Sequence, residues 1–244
     1  MPRGAPRAEG KPMASASYRQ FCPVAMAAEV LCCRWTLLVV RELMMGSSHF
    51  NDLRRGVPRM SSALLAKRLR ELEAAGIVER TRAAGAAEGH VYRLTQAGRE
   101  LRPIVEAVGA WGQRWVKTEA TLRHLDANLL MWDIRRHVHP EPAPAARTTI
   151  EFIFCDRPLS ERNYWLIVEP ACDVDLCTVD PGFEVDLYVS TDLRTLTALW
   201  LGHVGWAQAS GSGAIRFMGT PERQSALRRW LGTSTFAAVP RAVG

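Results

Sequence analysis

Arg54, Arg55 and Arg59 lead into Ser61, Ser62 and Ala63, which are followed by Lys67 and Arg68 and then by Arg80, Arg82 and His90. Guanidinium and ammonium groups at this density bind phosphate oxygens, and small residues at one end of a helix let its backbone approach base edges. The chemistry is noncovalent recognition of a polyanion with readable edges, which predicts a double-stranded DNA operator as partner. No catalytic pattern accompanies these residues. There is no Ser-His-Asp arrangement, no Gly-x-Ser-x-Gly and no phosphate loop, and Gly211-Ser212-Gly213 reads as a turn. No CxxC spacing occurs among the six cysteines, and His137-Val138-His139 reads as a solvated helix end rather than a metal pair. The expectation is a chain with no cofactor, no metal and no enzymatic activity.

Positioning those side chains requires particular elements. Leu65, Leu69 and Leu72 recur at i, i+4, i+7 and define one buried helix face; Ala63, Lys67 and Arg70 repeat the spacing on another. Ser61 or Ser62 can cap the start, and Gly76 can close the end with positive φ. Ser47 to Arg54 predicts a preceding helix, and Val57-Pro58-Arg59 the turn between them. Ile77 to Arg80 and Val91 to Leu94 read as strands joined by a Gly/Ala-rich tip from Arg82 to His90. Two helices, a Pro turn and a basic hairpin in that order make a winged helix-turn-helix, with one helix for the major groove and the hairpin beside it. An amphipathic helix with a solvated charged face explains a lone basic helix; the joint occurrence of helix, turn and wing argues for DNA.

Charge is divided unevenly. Residues 1–119 hold 19 Lys and Arg against 11 Asp and Glu, while residues 120–244 hold 12 against 14. The basic surplus lies with the winged helix, where a polyanion partner requires it. No run of 18 apolar residues suggests a membrane span. The Pro-, Gly-, Ala- and Arg-rich start lacks an apolar signal core, so a cytoplasmic location and mostly reduced cysteines are expected.

The segments Cys22-Pro23-Val24, Arg34 to Leu43, Phe50-Asn51-Asp52-Leu53-Arg54, Leu65 to Glu73 and Tyr92-Arg93-Leu94-Thr95 together resemble the HxlR family of bacterial regulators, over about residues 20 to 118. The resemblance implies a dimeric winged-helix repressor or activator within the wider MarR-like group. This chain departs from it at Cys32-Cys33, where the family usually has small residues, and at Ala63, where it often carries a polar or basic one. Several family members use a cysteine at the position of Cys22 to sense oxidants or electrophiles. A sensing thiol needs access and a stabilised thiolate, which Arg19 or a helix N-terminus could supply; packing as a small apolar residue is the alternative.

Beyond the wing, Thr95 caps a long predicted helix whose Leu101, Ile104, Val105, Val108, Trp111 and Trp115 form a stripe, with Pro103 expected to kink it. Thr118 to Val138 predicts another helix, and the prolines at 140, 142 and 144 mark a linker. The period then changes to two. Strands are predicted at 148–154, 164–169, 174–179, 184–189 and 213–219, with helices at 193–201 and from Pro221. The overall expectation is α+β: an N-terminal winged helix-turn-helix, then an α+β domain with a mainly antiparallel sheet and helices on one face. From Val185 to Asp192, through Leu193 to Leu201 and Gly202-His203, to Gly213 to Gly219 and the closing helix, this half resembles the sterol carrier protein type two fold. That resemblance implies a tunnel for an apolar molecule. Phe152, Phe154, Trp165, Leu199, Trp200, Trp206 and Phe217 are its candidate lining.

The boundaries read as a basic tail at 1–17, a DNA-binding and dimerisation domain at 18–120, a connecting helix and linker at 121–144, a ligand-binding domain at 145–232 and a tail at 233–244. The function these elements predict is a homodimeric, effector-responsive transcription regulator. Two rivals stand beside it: a Cys22 thiol sensor with a structural C-terminal domain, and a lipid carrier or enzyme whose winged helix docks proteins.

Overall fold

The computed structural model describes residues 17–82, 89–117, 122–171 and 173–243. The first half is built from α1 (Pro23–Leu31), α2 (Thr36–Met44), α3 (Phe50–Gly56), α4 (Ser62–Ala74), β1 (Val78–Arg82), β2 (His90–Leu94), α5 (Gln96–Arg99) and α6 (Arg102–Trp115). The cap at α4 forms as expected: Ser61 Oγ accepts from the Leu64 N–H at 3.3 Å. Gly76 follows the helix at φ +71°, where a side chain would be strained. Leu65, Leu69 and Leu72 are buried with Val39, Val40 and Leu53, each leucine contributing about 1.5–3 kcal/mol. β1 and β2 pair antiparallel from Val78 opposite Leu94 to Arg82 opposite His90, and the expected tip between them, at 83–88, lies outside the described residues. The Tyr92 N–H donates to the Ser48 carbonyl at 2.8 Å and ties the hairpin to the entry of α3.

Two helix expectations are corrected. Pro103 does not kink one long helix; the chain breaks at Glu100-Leu101, and Pro103 occupies the second position of α6, where its missing N–H leaves no bond unmade. The helix expected over 118–138 starts only at Ala127. Asp126 accepts from the Leu129 N–H at 3.1 Å, and this capping geometry excludes Asp126 and the turn before it from the helix. Residues 118–121 of that expectation lie outside the described residues.

The second half contains α7 (Ala127–Arg136), β3 (Thr148–Phe154), a short 3₁₀ turn (Leu159–Glu161), β4 (Asn163–Val168), β5 (Val174–Cys177), β6 (Leu187–Thr191), α8 (Leu193–Trp200), α9 (Trp206–Gly211), β7 (Ile215–Gly219) and α10 (Pro221–Trp230). The strand order is β5-β4-β3-β6-β7; β3 and β6 run parallel and the other pairings are antiparallel. β6 begins three residues later than expected. Asp186 is held outside it by the Thr149 N–H at 2.9 Å and by Arg223 at 3.0 Å. Asp192 and Thr220 cap α8 and α10.

Two segments expected to lie outside the folded units belong to them. The connecting helix α7 buries Ala127, Leu130, Met131 and Ile134 in the same core as Phe152, Leu166 and Leu199. The closing segment, expected as a tail, packs back across the molecule. The Ser234 N–H donates to the Trp200 carbonyl at 2.8 Å, Arg241 Nη2 to the Val116 carbonyl at 2.7 Å, and the Ala242 N–H to the Arg114 carbonyl at 2.9 Å.

The halves are joined by a buried charge cluster. Glu42 on α2 has no solvent exposure and accepts from Arg136 of α7 at 2.8 Å, Arg41 at 2.7 Å and Ser47 at 3.4 Å. Arg136 also pairs with Asp133. Gly56 leaves room for this carboxylate, since a Cβ there would stand 1.8 Å from Glu42 Oε2.

Candidate nucleic-acid interface

The N-terminal end of α4 is open. Ser61, Ser62 and Ala63 are exposed, and so are Lys67 and Arg70 along the same side. Ser61 is occupied as a cap, so its hydroxyl orders the first turn, while Ser62 and Ala63 present a small surface on which a helix can approach base edges. Lys67 lies 3.9 Å from Glu71, a loose exposed pair that a phosphate can replace at little cost. Arg54, on α3, is exposed.

In the wing, Arg80 stands opposite Tyr92 and Arg82 opposite His90. Strand alternation puts Arg80, Arg82 and His90 on one face of the hairpin, and all three are exposed. That row can track a groove or a phosphate strand.

Three expected contacts are engaged elsewhere in the chain. Arg68 is turned toward Glu71 at 2.5 Å, and its side chain is only 14% exposed. Arg55 stacks over the Trp132 ring at 5.2 Å. Arg59 lies 3.7 Å from Asp126 and 3.5 Å from the Leu125 carbonyl. Trp132, Asp126 and Leu125 belong to the second half, so the elbow between α3 and α4 docks on it. Sequence reasoning saw each cation and could not see which faced the second half. It also placed Arg70 on the basic face without counting it as a contact; its spacing of seven from Ala63 is the signal that includes it.

The candidate lining of the second half is split. Phe152, Phe154, Leu199 and Trp200 are buried in the continuous core between sheet and helices. Trp206 and Phe217 sit at its edge, ring centroids 6.2 Å apart, with the Arg228 guanidinium over both. Trp165 pairs across from Glu151 and points to the opposite face of the sheet from Phe152 and Phe154. Alternation within β3 and β4 carried this information, because Trp165 is out of phase with Tyr164 and Leu166. Cys22 occupies the cap position before α1 and is half-buried.

Residues 30–120 match the family model described as HxlR-like helix-turn-helix. The uncharacterized HTH-type transcriptional regulator YvaP of Bacillus subtilis (strain 168) is 33% identical over 98 residues, 40% of this chain and 91% of the relative. The uncharacterized HTH-type transcriptional regulator Mb3122 of Mycobacterium bovis is 31% identical over 144 residues, 52% of this chain and 89% of the relative. Among solved structures, the reduced form of the transcriptional regulator YodB from B. subtilis is 33% identical, covering 38% of this chain and 93% of that one, with a TM-score of 0.35. Relatives of this kind are named as regulators of transcription rather than as enzymes. Among the described residues no single helix is long and apolar enough to cross a membrane. With a capped, basic helix open at its start and a basic wing beside it, the chain belongs to the HxlR-like helix-turn-helix family of transcriptional regulators.

Proposed function

We propose that the chain acts as a homodimer on an inverted-repeat operator and that its second half, resembling sterol carrier protein type two in element order, receives an apolar small-molecule effector. The observation that carries the DNA reading is the pairing of exposed Lys67 and Arg70 on α4 with exposed Arg80, Arg82 and His90 on one face of the wing. Half-site centres lie about one helical turn apart, or a multiple of it. Ser62 and Ala63 meet base edges; Arg54, Lys67, Arg80 and Arg82 meet phosphates. Ser61 holds the helix end, and Arg55, Arg59 and Arg68 contribute less because they are engaged within the chain.

Dimerisation is supported by α6. Ile104, Val108, Trp111 and Trp115 are exposed at helical spacing, while Leu101 and Val105 turn inward against the winged-helix core. Val24 and Met26 on α1 and Phe21 before it add further exposed apolar surface. A continuous apolar face of this kind marks an interface, and a two-fold pairing closes it.

The test is a salt titration of operator binding. Lys67→Ala lowers affinity on all sequences alike and reduces the salt slope by roughly one. Binding without salt dependence ends the DNA reading.

A second reading rests on Cys22, half-buried before α1 and next to the exposed apolar surface of that helix. In it the thiol senses oxidant or electrophile and the second half is structural. Diamide then changes operator affinity in the wild type and not in Cys22→Ser; an equal response in both removes the thiol from the mechanism. The reading of the winged helix as a protein-docking module on a lipid carrier or enzyme leaves the surplus of 19 basic over 11 acidic residues without a use.

A further inference from the structure

Between the two halves lies a cavity of about 340 Å³. One wall comes from the winged helix: Arg41 and Met44 of α2 and Val105 of α6. The other comes from the second half: His137, Trp200 and Phe236. A benzene ring fills an apolar cavity of about 150 Å³, so this one has room for two fused rings. The core between sheet and helices is packed by Phe152, Phe154 and Leu199, and Trp200 is the member of the expected lining that also borders this cavity.

The polarity of the walls selects the ligand. The charges around the cavity are already matched within the chain. Arg41 pairs with Glu42 at 2.7 Å, Arg102 with Glu106 at 3.6 Å, Asp126 with Arg59 at 3.7 Å and Asp133 with Arg136. A charged ligand would be desolvated without gaining an uncompensated partner. One polar group stands apart from these pairs. His137 Nδ1 lies 2.8 Å from the Asp133 carbonyl, which can only accept. A hydrogen on Nδ1 makes that bond, and Nε2 is left with a long 3.4 Å contact to Thr235 Oγ1. The Trp200 ring meets His137 edge-on at 5.0 Å and, with Phe236, supplies an aromatic surface.

We propose that this interdomain cavity is the effector site and that it takes a neutral, mainly aromatic two-ring molecule. Its regulatory meaning rests on the regulator reading above; its existence as a site does not. The link to DNA is mechanical. Phe236 packs on Gly109 of α6, where a Cβ would stand 2.2 Å from its ring. The outer side of α6 is the exposed stripe assigned to the dimer. A molecule seated between Val105 and Phe236 therefore bears on the helix that sets the spacing of the two recognition helices, and it shifts that spacing by as much as its affinities for the two arrangements differ.

The probe is Prodan, a neutral naphthyl ketone whose emission moves to the blue in apolar surroundings, titrated into the full chain. Saturable binding with one dye per chain is expected. Thr197→Trp and, as a second filling variant, Leu129→Trp occupy the cavity from the second half and are expected to weaken binding at least tenfold while melting as the wild type does. Leu159→Ser, at an exposed apolar residue outside the cavity lining, is expected to leave Prodan binding unchanged. Binding that survives a folded filling variant, or that is lost in Leu159→Ser, overturns the site. Duplex DNA titrated at low salt separates this from the regulator reading: a chain that binds the duplex but not Prodan loses the site, and one that takes up Prodan in the cavity but binds no duplex keeps the site and loses the regulator.

Discussion

Replacing Arg136 with leucine is the sharpest test of how the two halves are held. The Arg136 side chain is 9% exposed and Glu42 has no exposure at all, and their N–O distance is 2.8 Å. Burial pulls the Arg136 pKa down, but the charges of Glu42 and Asp133 and the hydrogen bonds to both outweigh it and hold the guanidinium above its ordinary value. Arg136 is thus held in its charged form inside the protein rather than at its surface. Removing one partner of such a pair strands the other charge in a poorly solvated site, at a cost of about 3–5 kcal/mol. Glu42 retains Arg41 and Ser47, which places the expected loss toward ~3 kcal/mol. At this chain length that corresponds to a fall in Tm of roughly 6–12 °C. Arg136→Leu, Glu42→Leu and the double variant are compared by chemical and thermal denaturation. The double variant is expected to recover much of the loss, because the fully buried carboxylate and its buried guanidinium go together, while the charges left behind, Arg41 and Asp133, are partly exposed. Additive effects, or a loss under about 1 kcal/mol for Arg136→Leu alone, would refute the argument that this contact is buried and coupled.

Other outcomes follow from the same contacts. Gly56→Ala drives a methyl group into a carboxylate that Arg41 and Arg136 hold still, so a loss of about 1–3 kcal/mol or more is expected in melting experiments; a neutral effect would mean that Glu42 is free to move. Trp111→Glu places a charge in the exposed stripe of α6 and should shift light scattering toward a mass near 27.2 kDa, whereas an unchanged larger assembly would move the interface elsewhere. His203 has its pKa lowered by burial and by Arg241, whose Nη1 stands 2.9 Å from Nε2. A histidine with a lowered value stabilises the fold fully above the ordinary range near ~6.5, and that contribution is lost as pH falls through the lowered value. Melting from about pH 8 to about pH 5 should therefore decline less steeply in His203→Gln, and parallel profiles would remove His203 as a cause.

Much of the first half was legible because its signals are local. Ser61, the three leucines of α4 and Gly76 sit within one helix and its ends, and each specifies geometry over a few residues. The strands of the second half were legible from period two, but the faces of the sheet were not kept in phase. Trp165 was grouped with Phe152 and Phe154 because all are aromatic, although alternation sends it to the other side. What the sequence did not disclose is long-range. Nothing near Glu42 announces that its partner stands 94 residues away, and nothing near Arg55 or Arg59 announces that Trp132 and Asp126 will meet them. The same limit hid the cavity, whose walls come from α2, α6, α7, α8 and the closing segment.

Gly56, Glu42 and Arg136 also bear on how such a chain can be cut and recombined. The family match covers residues 30–120, which include Glu42 and stop short of Arg136. Here the same unit has a carboxylate recessed behind a glycine and neutralised in part from outside the unit. A graft that moved residues 17–117 onto another protein would carry Glu42 with Arg41 as its remaining guanidinium, at a surface that Trp132 and Asp126 no longer cover. Exchange of the second half is consequently constrained at its first helix, where any replacement must supply a cation at the place of Arg136 and an aromatic surface for Arg55. The joint is a matched pair of surfaces, and any exchange of the second half would have to preserve it.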